Sequence, residues 1–308
     1  MAHITDHGLR AHTCSPPLAL DRPPMAEREC AVEGESAELG STHAAVSATL
    51  CTAPPQPLST AALSEFSASG FLVVRGFLGG EALAAARAAL SALLGDLPRL
   101  IPPEHAFFER KGDPASLKQL QALHVHSPAL GALGVAGAPA ALAAALLGSR
   151  AVLQNVQYFC KAPRGSGAPT PPHQDGAYFM LRDPSRAVTL WLALDEVDEG
   201  NGAVRYLRGS HLGGLLPHQP TGVLGFSRGV AGWGAEREAA CEAVRGAPGD
   251  LLAHHSLTVH CAGGNASEDR WRRALGFIYF AEGAEVDGAA KAAYEEGLRR
   301  QWREEGRL

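Results

Sequence analysis

The sequence predicts a mainly β domain with flanking helices, of the sandwich or jelly-roll type. Three observations carry that expectation. From residue 150 onward come five segments rich in Val, Leu, Trp, Tyr and Phe, bounded by Gly, Pro, Asn or Asp clusters. Ahead of them lie stretches of helical period, placed to cover one face of a sheet. The composition supplies both a core and the turns between strands: 46% hydrophobic over 308 residues, with 35 Gly and 21 Pro.

Taken in order, residues 1–57 read as a disordered Pro- and Ala-rich extension. They carry Pro16-Pro17, Pro23-Pro24 and Pro54-Pro55, many Ser and Thr, and no sustained periodicity. Met25 is an alternative start to Met1. Order is expected from Leu63, with a short helix around Phe66 and a strand over 70–74. Leu83, Arg87, Leu90, Leu94 and Leu97 share one stripe, so an amphipathic helix spans about 80–96, between Gly79-Gly80 and Pro98. A second helix starts near Pro139, suited to a first turn, and runs to a cap at Gly148. Strands are expected over 151–160, 187–194, 202–207, 250–260 and 272–280. One domain is expected over 58–290, and the tail, 291–308, as a charged surface helix.

Several function classes fall away. A net charge of −5 leaves no electrostatic footprint for nucleic acid or an anionic membrane. No run of about 18 apolar residues is found, so no membrane-spanning helix is expected. Cys14, Cys30, Cys51, Cys160, Cys241 and Cys261 form no CxxC pair and read as reduced thiols. With no secretory signal at the N-terminus, a cytoplasmic protein is expected.

The chemistry centres on Pro171-Pro172-His173-Gln174-Asp175. On an extended segment, residues two apart share a face, with Cα atoms roughly 6–7 Å apart. An imidazole and a carboxylate so placed take adjacent corners of one metal ion. A second imidazole from a distant strand completes the two-histidine, one-carboxylate triad of non-haem Fe(II) oxygenases. HxD alone is a weak signal, and its company strengthens it. The segment 249–260 is an apolar strand ending in His260, followed by a Gly-Gly-Asn turn and then Arg270-Trp271-Arg272-Arg273-Ala274-Leu275. That order suits a 2-oxoglutarate site, whose far carboxylate needs a fixed guanidinium.

On these residues the chain resembles the phytanoyl-CoA dioxygenase family of Fe(II)/2-oxoglutarate oxygenases over about residues 60–282, nearest its domain-containing branch. Further matching pieces are Glu65-Phe66, Gly70 to Val74, Gly76-Phe77-Leu78 and Leu190-Trp191-Leu192-Ala193-Leu194-Asp195. Glu199-Gly200-Asn201-Gly202 and Gly209-Ser210-His211 complete the set. The resemblance implies a double-stranded β-helix, that is, a cupin-like jelly roll. It implies Fe(II) held by His173, Asp175 and His260, and 2-oxoglutarate bound by Arg272 with Trp191 and Gln157. The family spacing from the second histidine to the arginine is usually one residue shorter, which leaves Arg273 and Arg270 as alternatives to Arg272. Relatives often carry Ser where this chain has Ala262.

Other residues have plainer readings. His254 and His255 fall on the predicted strand of His260 and read as structural. His211 reads as part of a turn, and Asn201-Gly202 as a hairpin signal. Trp191 suits either core or cosubstrate, and Tyr178 and Phe179 either lid or core. His105, Phe107, Phe108, His124 and His126 are expected to help form a lid over the substrate.

The expected activity is oxygenation of an unactivated C–H bond in a small organic metabolite. Fe(II), 2-oxoglutarate and dioxygen are consumed or used, succinate and carbon dioxide are released, and ascorbate serves as reductant in vitro. Asp175 favours hydroxylation, since related halogenases replace the carboxylate by a small residue. The competing readings are a non-catalytic β-sandwich binding module and a cupin-like metalloenzyme independent of 2-oxoglutarate. The substrate and the oligomeric state are not legible.

Overall fold

Antiparallel strands dominate the chain beyond residue 150, where the β-branched and aromatic segments predict them. The computed structural model describes residues 58–304 apart from 111–112, 165–167 and 224. The extension expected over 1–57 lies outside the described residues. Those that are described belong to the compact unit that begins at Glu38.

In chain order the first part holds α1 (Thr60–Ser69), β1 (Phe71–Val74), α2 (Gly80–Gly95), α3 (Leu97–Leu100), β2 (Ala106–Phe108) and β3 (Leu117–Leu120). Then come α4 (Leu123–His126), α5 (Pro128–Ala136), α6 (Ala138–Leu147), β4 (Ala151–Lys161), β5 (Thr170–His173), α7 (Gly176–Phe179), β6 (Ala187–Ala193) and β7 (Val204–Tyr206). The last part holds β8 (His218–Val223), β9 (Phe226–Val230), α8 (Ala235–Ala239), β10 (Glu242–Ala243), β11 (Leu251–His255), β12 (His260–Ala262), β13 (Arg272–Ala281) and α9 (Gly288–Glu304).

The helices form where local chemistry dictates. Ser59 caps α1 by accepting from the Ala62 N–H. The buried residues of α2 are Leu83, Ala86, Leu90 and Leu93, the predicted stripe. Pro139 lies in the first turn of α6, and Gly148 caps it in the left-handed conformation. One expectation needs correcting. Pro128–Leu147 is long and apolar enough, by length and composition, to cross a membrane. Its Gly and Pro residues hide that run from a search for bulky apolar side chains. In the fold Gly137 divides it into α5 and α6, and Leu130, Leu133, Leu142 and Ala143 enter the core.

Seven strands form one sheet in the order β1-β11-β6-β13-β4-β3-β2, and four form a second, β10-β7-β12-β5. Every strand pairing among them is antiparallel, and β8 with β9 makes a separate hairpin. The result is a jelly-roll sandwich backed by helices. Period-two alternation sorts the side chains of the large sheet. Val188, Leu190 and Leu192 of β6 and Leu275, Phe277 and Tyr279 of β13 pack with Leu83, Leu90, Leu130 and Leu142 of the helices. Trp191, Leu252 and Ala274 instead pack with Val204 and Tyr206 of the second sheet. The side chains between the sheets are therefore the ones that can meet in a site.

Two strand expectations fail in an informative way. The strand expected over 250–260 is two strands in different sheets, β11 and β12. A turn at 256–259 separates them, fixed where Thr258 Oγ1 donates to the Gly70 carbonyl at 2.7 Å. His254 and His260 thus do not share a strand. The tail helix is present but begins earlier than expected, at Gly288.

Candidate metal and cosubstrate site

Two rows of side chains approach each other between the sheets. In the smaller sheet His260 on β12 pairs in register with His173 on β5 and with Tyr206 on β7. In the larger sheet Thr189 on β6 pairs with His254 on β11. Asp175 joins the two rows. Its Oδ1 lies 3.5 Å from His173 Nε2 and 3.7 Å from His260 Nε2. One donor atom from each of these three residues falls within 4.8 Å of the others.

The route to this geometry differs from the expected extended His-x-Asp segment. β5 stops at His173, and Asp175 has helical dihedrals (φ −59°, ψ −33°) at the start of α7. The Gly176 N–H donates to the Ser256 carbonyl at 2.8 Å and ties this turn to the β11–β12 connection. The carboxylate meets the imidazoles through that turn rather than along a strand face.

The hydrogen bonds assign the protons. His173 Nδ1 lies 2.8 Å from the Pro171 carbonyl, and His260 Nδ1 lies 3.0 Å from the Thr258 carbonyl. Carbonyls only accept, so each Nδ1 carries a proton, and in the neutral ring Nε2 is the atom free to bind a metal. Burial, with His173 and His254 close by, pushes the His260 pKa well below the ordinary range, which keeps the ring neutral. Burial works against the Asp175 carboxylate, but the imidazoles of His260, His173 and His254 hold its pKa well below the usual value. Two imidazole Nε2 atoms and a carboxylate oxygen therefore converge on one point, an arrangement that suits a cation. Two imidazoles and one carboxylate on one side, with a pocket on the other, fit Fe(II).

The pocket beside these residues has a volume of about 160 Å³. Trp191, Gln157 and Arg272, the residues expected to bind the cosubstrate, all line it. Arg272 differs from Arg270 and Arg273 in its surroundings. Arg270 is ion-paired with Asp198 at 2.6 Å and Arg273 with Asp195 at 2.7 Å, both at the surface. Arg272 is 4% exposed, its buried Nε has no hydrogen-bond partner among the described residues, and its guanidinium carbon sits 5.6 Å from the Trp191 ring centre. Burial lowers its pKa to about 10, so it remains a cation, with no ion pair among the described residues. Gln157 accepts from Gln119 Nε2 at 3.4 Å. Ala262 lines the pocket beside Thr170, its register partner, which carries a hydroxyl where Ala262 has none.

The lid expectation is corrected. None of His105, Phe107, Phe108, His124 and His126 lines the pocket. Phe107 lies in β2 at the far edge of the large sheet, and His105 pairs with His126 at 3.1 Å. The β8–β9 hairpin does reach the pocket, with Gly225 and Phe226 in its wall and the Phe226 ring 5.2 Å from the His173 ring. Gly225 sits so close to Gln119 Oε1 that an added Cβ would come within 2.5 Å of it. Tyr178 and Phe179 also line the pocket, whereas His211 does not and hydrogen-bonds the Ser67 carbonyl.

Sequence reasoning missed Thr189, Tyr206 and His254 as site neighbours. Thr189 alternates with Trp191 on β6, a signal of a shared face. Tyr206 and His254 gave none, because their meeting depends on how the two sheets stack.

The comparisons agree with this geometry. A protein from Stutzerimonas stutzeri named probable alpha-ketoglutarate-dependent hypophosphite dioxygenase is 31% identical over 170 residues, 54% of this chain and 58% of the relative. The chain thus spans less than two thirds of that relative's length. Among solved structures, the epimerase SnoN in complex with Fe3+, alpha ketoglutarate and nogalamycin RO aligns with a TM-score of 0.57 and 26% identity. That alignment covers 73% of this chain and 84% of SnoN. EctD from S. alaskensis shares the fold at TM-score 0.62 and 20% identity, over 75% of this chain and 80% of EctD. The family model for phytanoyl-CoA dioxygenase (PhyH) matches residues 66–274. With that match across most of the described fold, the chain belongs to the phytanoyl-CoA dioxygenase family.

Proposed function

We propose that the protein is an Fe(II)- and 2-oxoglutarate-dependent dioxygenase that hydroxylates an unactivated C–H bond of a small organic metabolite. His173 Nε2, His260 Nε2 and Asp175 Oδ1 would hold the iron, and Arg272 would bind the far carboxylate of 2-oxoglutarate. The bound iron, with 2-oxoglutarate and dioxygen, supplies the oxidising chemistry, and succinate and carbon dioxide leave. The chain's own residues bind, orient and exclude water. Trp191 flanks the Arg272 guanidinium, Gln157 and Thr170 offer hydrogen bonds, and Phe159, Phe226 and Ile278 make the walls apolar.

The observation that carries this reading is Arg272. A buried guanidinium without an anion is costly, and an incoming carboxylate offsets that cost with a charge-assisted pair. A metalloenzyme independent of 2-oxoglutarate, or a binding module with an unused metal site, leaves that cation unexplained. Asp175 supports hydroxylation over halogenation, because it fills the corner a halide would need.

The test is succinate formation from 2-oxoglutarate with Fe(II) and ascorbate, in wild type and in His173→Ala. Wild-type turnover, even uncoupled from a prime substrate, and its loss in the variant are expected. No turnover in properly metallated wild-type protein overturns the proposal.

A further inference from the structure

Asp175 has two carboxylate oxygens, and their surroundings differ. Oδ1 faces the lone pairs of His173 and His260. Oδ2 accepts from Thr189 Oγ1 and lies 3.2 Å from His254 Nε2. The other nitrogen of His254, Nδ1, lies 2.9 Å from the Tyr206 hydroxyl. His254 is 2% exposed and Tyr206 fully buried, so no solvent competes for these contacts.

An ionised carboxylate only accepts, so His254 Nε2 donates to Oδ2. The Tyr206 hydroxyl, which can donate or accept, closes the chain at Nδ1. Tyr206 is itself clamped, stacked on Phe71 with ring centres 4.5 Å apart and planes 12° from parallel. A proton on Nε2 also keeps His254 from serving as a third imidazole ligand, although its ring centre is 4.3 Å from that of His260.

We infer that His254, oriented by Tyr206, is a positioning residue that engages Asp175 Oδ2 and leaves Oδ1 as the single carboxylate oxygen aimed at the metal. The inference rests on the iron site proposed above and adds residues that no ligand pattern points to. Tyr206 reaches from the second sheet to His254 on the first, so the chain of hydrogen bonds also ties the two sheets together at the metal. Rotation of the carboxylate about its Cβ–Cγ bond would break both donors on Oδ2 at once.

The test uses the full-length protein, freed of metal by a chelator and titrated anaerobically with Co(II), whose visible bands report the ligand geometry. Wild type is expected to take one Co(II) per chain. His254→Phe keeps a ring but loses both hydrogen bonds, and is expected to bind Co(II) about 10- to 100-fold more weakly with shifted bands. His254→Gln can still present an N–H towards Oδ2 and is expected to recover most of the affinity and the wild-type bands. Tyr206→Phe, which removes one oxygen atom, is expected to weaken Co(II) binding by several-fold.

Wild-type affinity and bands in both His254→Phe and Tyr206→Phe overturn the inference. So does a fall in melting temperature across the variants with the Co(II) spectrum unmoved, the mark of a merely structural role. Should His254→Phe not fold, Tyr206→Phe and His254→Gln decide the matter by the same two readouts. Failure of wild type to bind Co(II) overturns the iron site itself and this inference with it, an outcome distinct from the others.

Discussion

Arg272 differs from its neighbours only in what surrounds it. Three arginines within four positions have the same chemistry, yet Arg270 and Arg273 each pair with an aspartate and Arg272 has no such partner among the described residues. Hydrogen bonds to a charged group contribute about 1.5–3 kcal/mol, so Arg272→Ala is expected to weaken 2-oxoglutarate binding by roughly 10- to 100-fold. The readout is the KM for 2-oxoglutarate in succinate formation, with direct binding by calorimetry as a second measure. Arg273→Ala breaks a bidentate ion pair with Asp195, a residue that does not line the pocket, and is expected to leave that KM within a few-fold of wild type. Equal losses in the two variants would mean that the anchor is wrongly assigned. The sequence narrowed the anchor to three residues, and spacing alone went no further. The deciding partners, Asp195 and Asp198, lie far upstream, and only the folded sheet brings them to the arginines.

At the scale of elements, what could be read depended on burial. The strands expected over 151–160, 187–194 and 272–280 match β4, β6 and β13 to within a residue. Each is a run whose composition leaves no other structure open, and β6 is buried along its whole length. The segment 250–260 has the same apolar character but changes sheet midway. Nothing local announces the change, because the turn at 256–259 is held by distant partners such as Gly70 and Ser210. The triad was legible as residue types, but its geometry was not: Asp175 was expected on a strand and lies in a helical turn. One element boundary carries a sharp prediction. Gly249, just before β11, has φ +90°, and a Cβ there would stand 2.0 Å from the Leu78 carbonyl oxygen. That same close approach lets the Leu78 N–H donate to the Gly249 carbonyl at 3.0 Å. Gly249→Ala adds backbone strain to a clash with main chain that has no flexible side chain to yield. A loss of about 2–3 kcal/mol is expected, which lowers the melting temperature by roughly 5–10 °C. A melting temperature unchanged from wild type would show that β1 and β11 do not depend on this approach.

At the scale of the whole molecule, a sandwich with so many buried imidazoles has a stability that depends on pH. His255 shows the effect away from the metal ligands. It sits at the end of β11, where its Nδ1 accepts from the Leu257 N–H at 3.1 Å, a role only the neutral ring can fill. Burial, with His211 and His254 beside it, lowers its pKa from 6.5 to about 4. In the unfolded chain the same ring titrates near 6.5. Between these values the unfolded state binds a proton that the folded state refuses, so stability rises with pH across that window. The stabilisation from a neutral His255 is therefore full above about pH 6.5 and is lost as pH falls towards 4, a change of roughly 2–3 kcal/mol from this group. His260, also held neutral by burial, moves stability in the same direction. Protonating His255 would also disturb the turn that delivers His260 to the site, so loss of stability and loss of metal affinity should set in together. Melting temperatures of the chelator-treated protein from pH 7 to 5 isolate the folding effect, because bound metal adds its own pH-dependent stabilisation. Wild type is expected to lose stability steadily across that range. His255→Asn keeps an acceptor for the Leu257 N–H but cannot titrate there, so its curve is expected to be flatter. Parallel curves for the two proteins would rule out His255 as a source of the acid sensitivity.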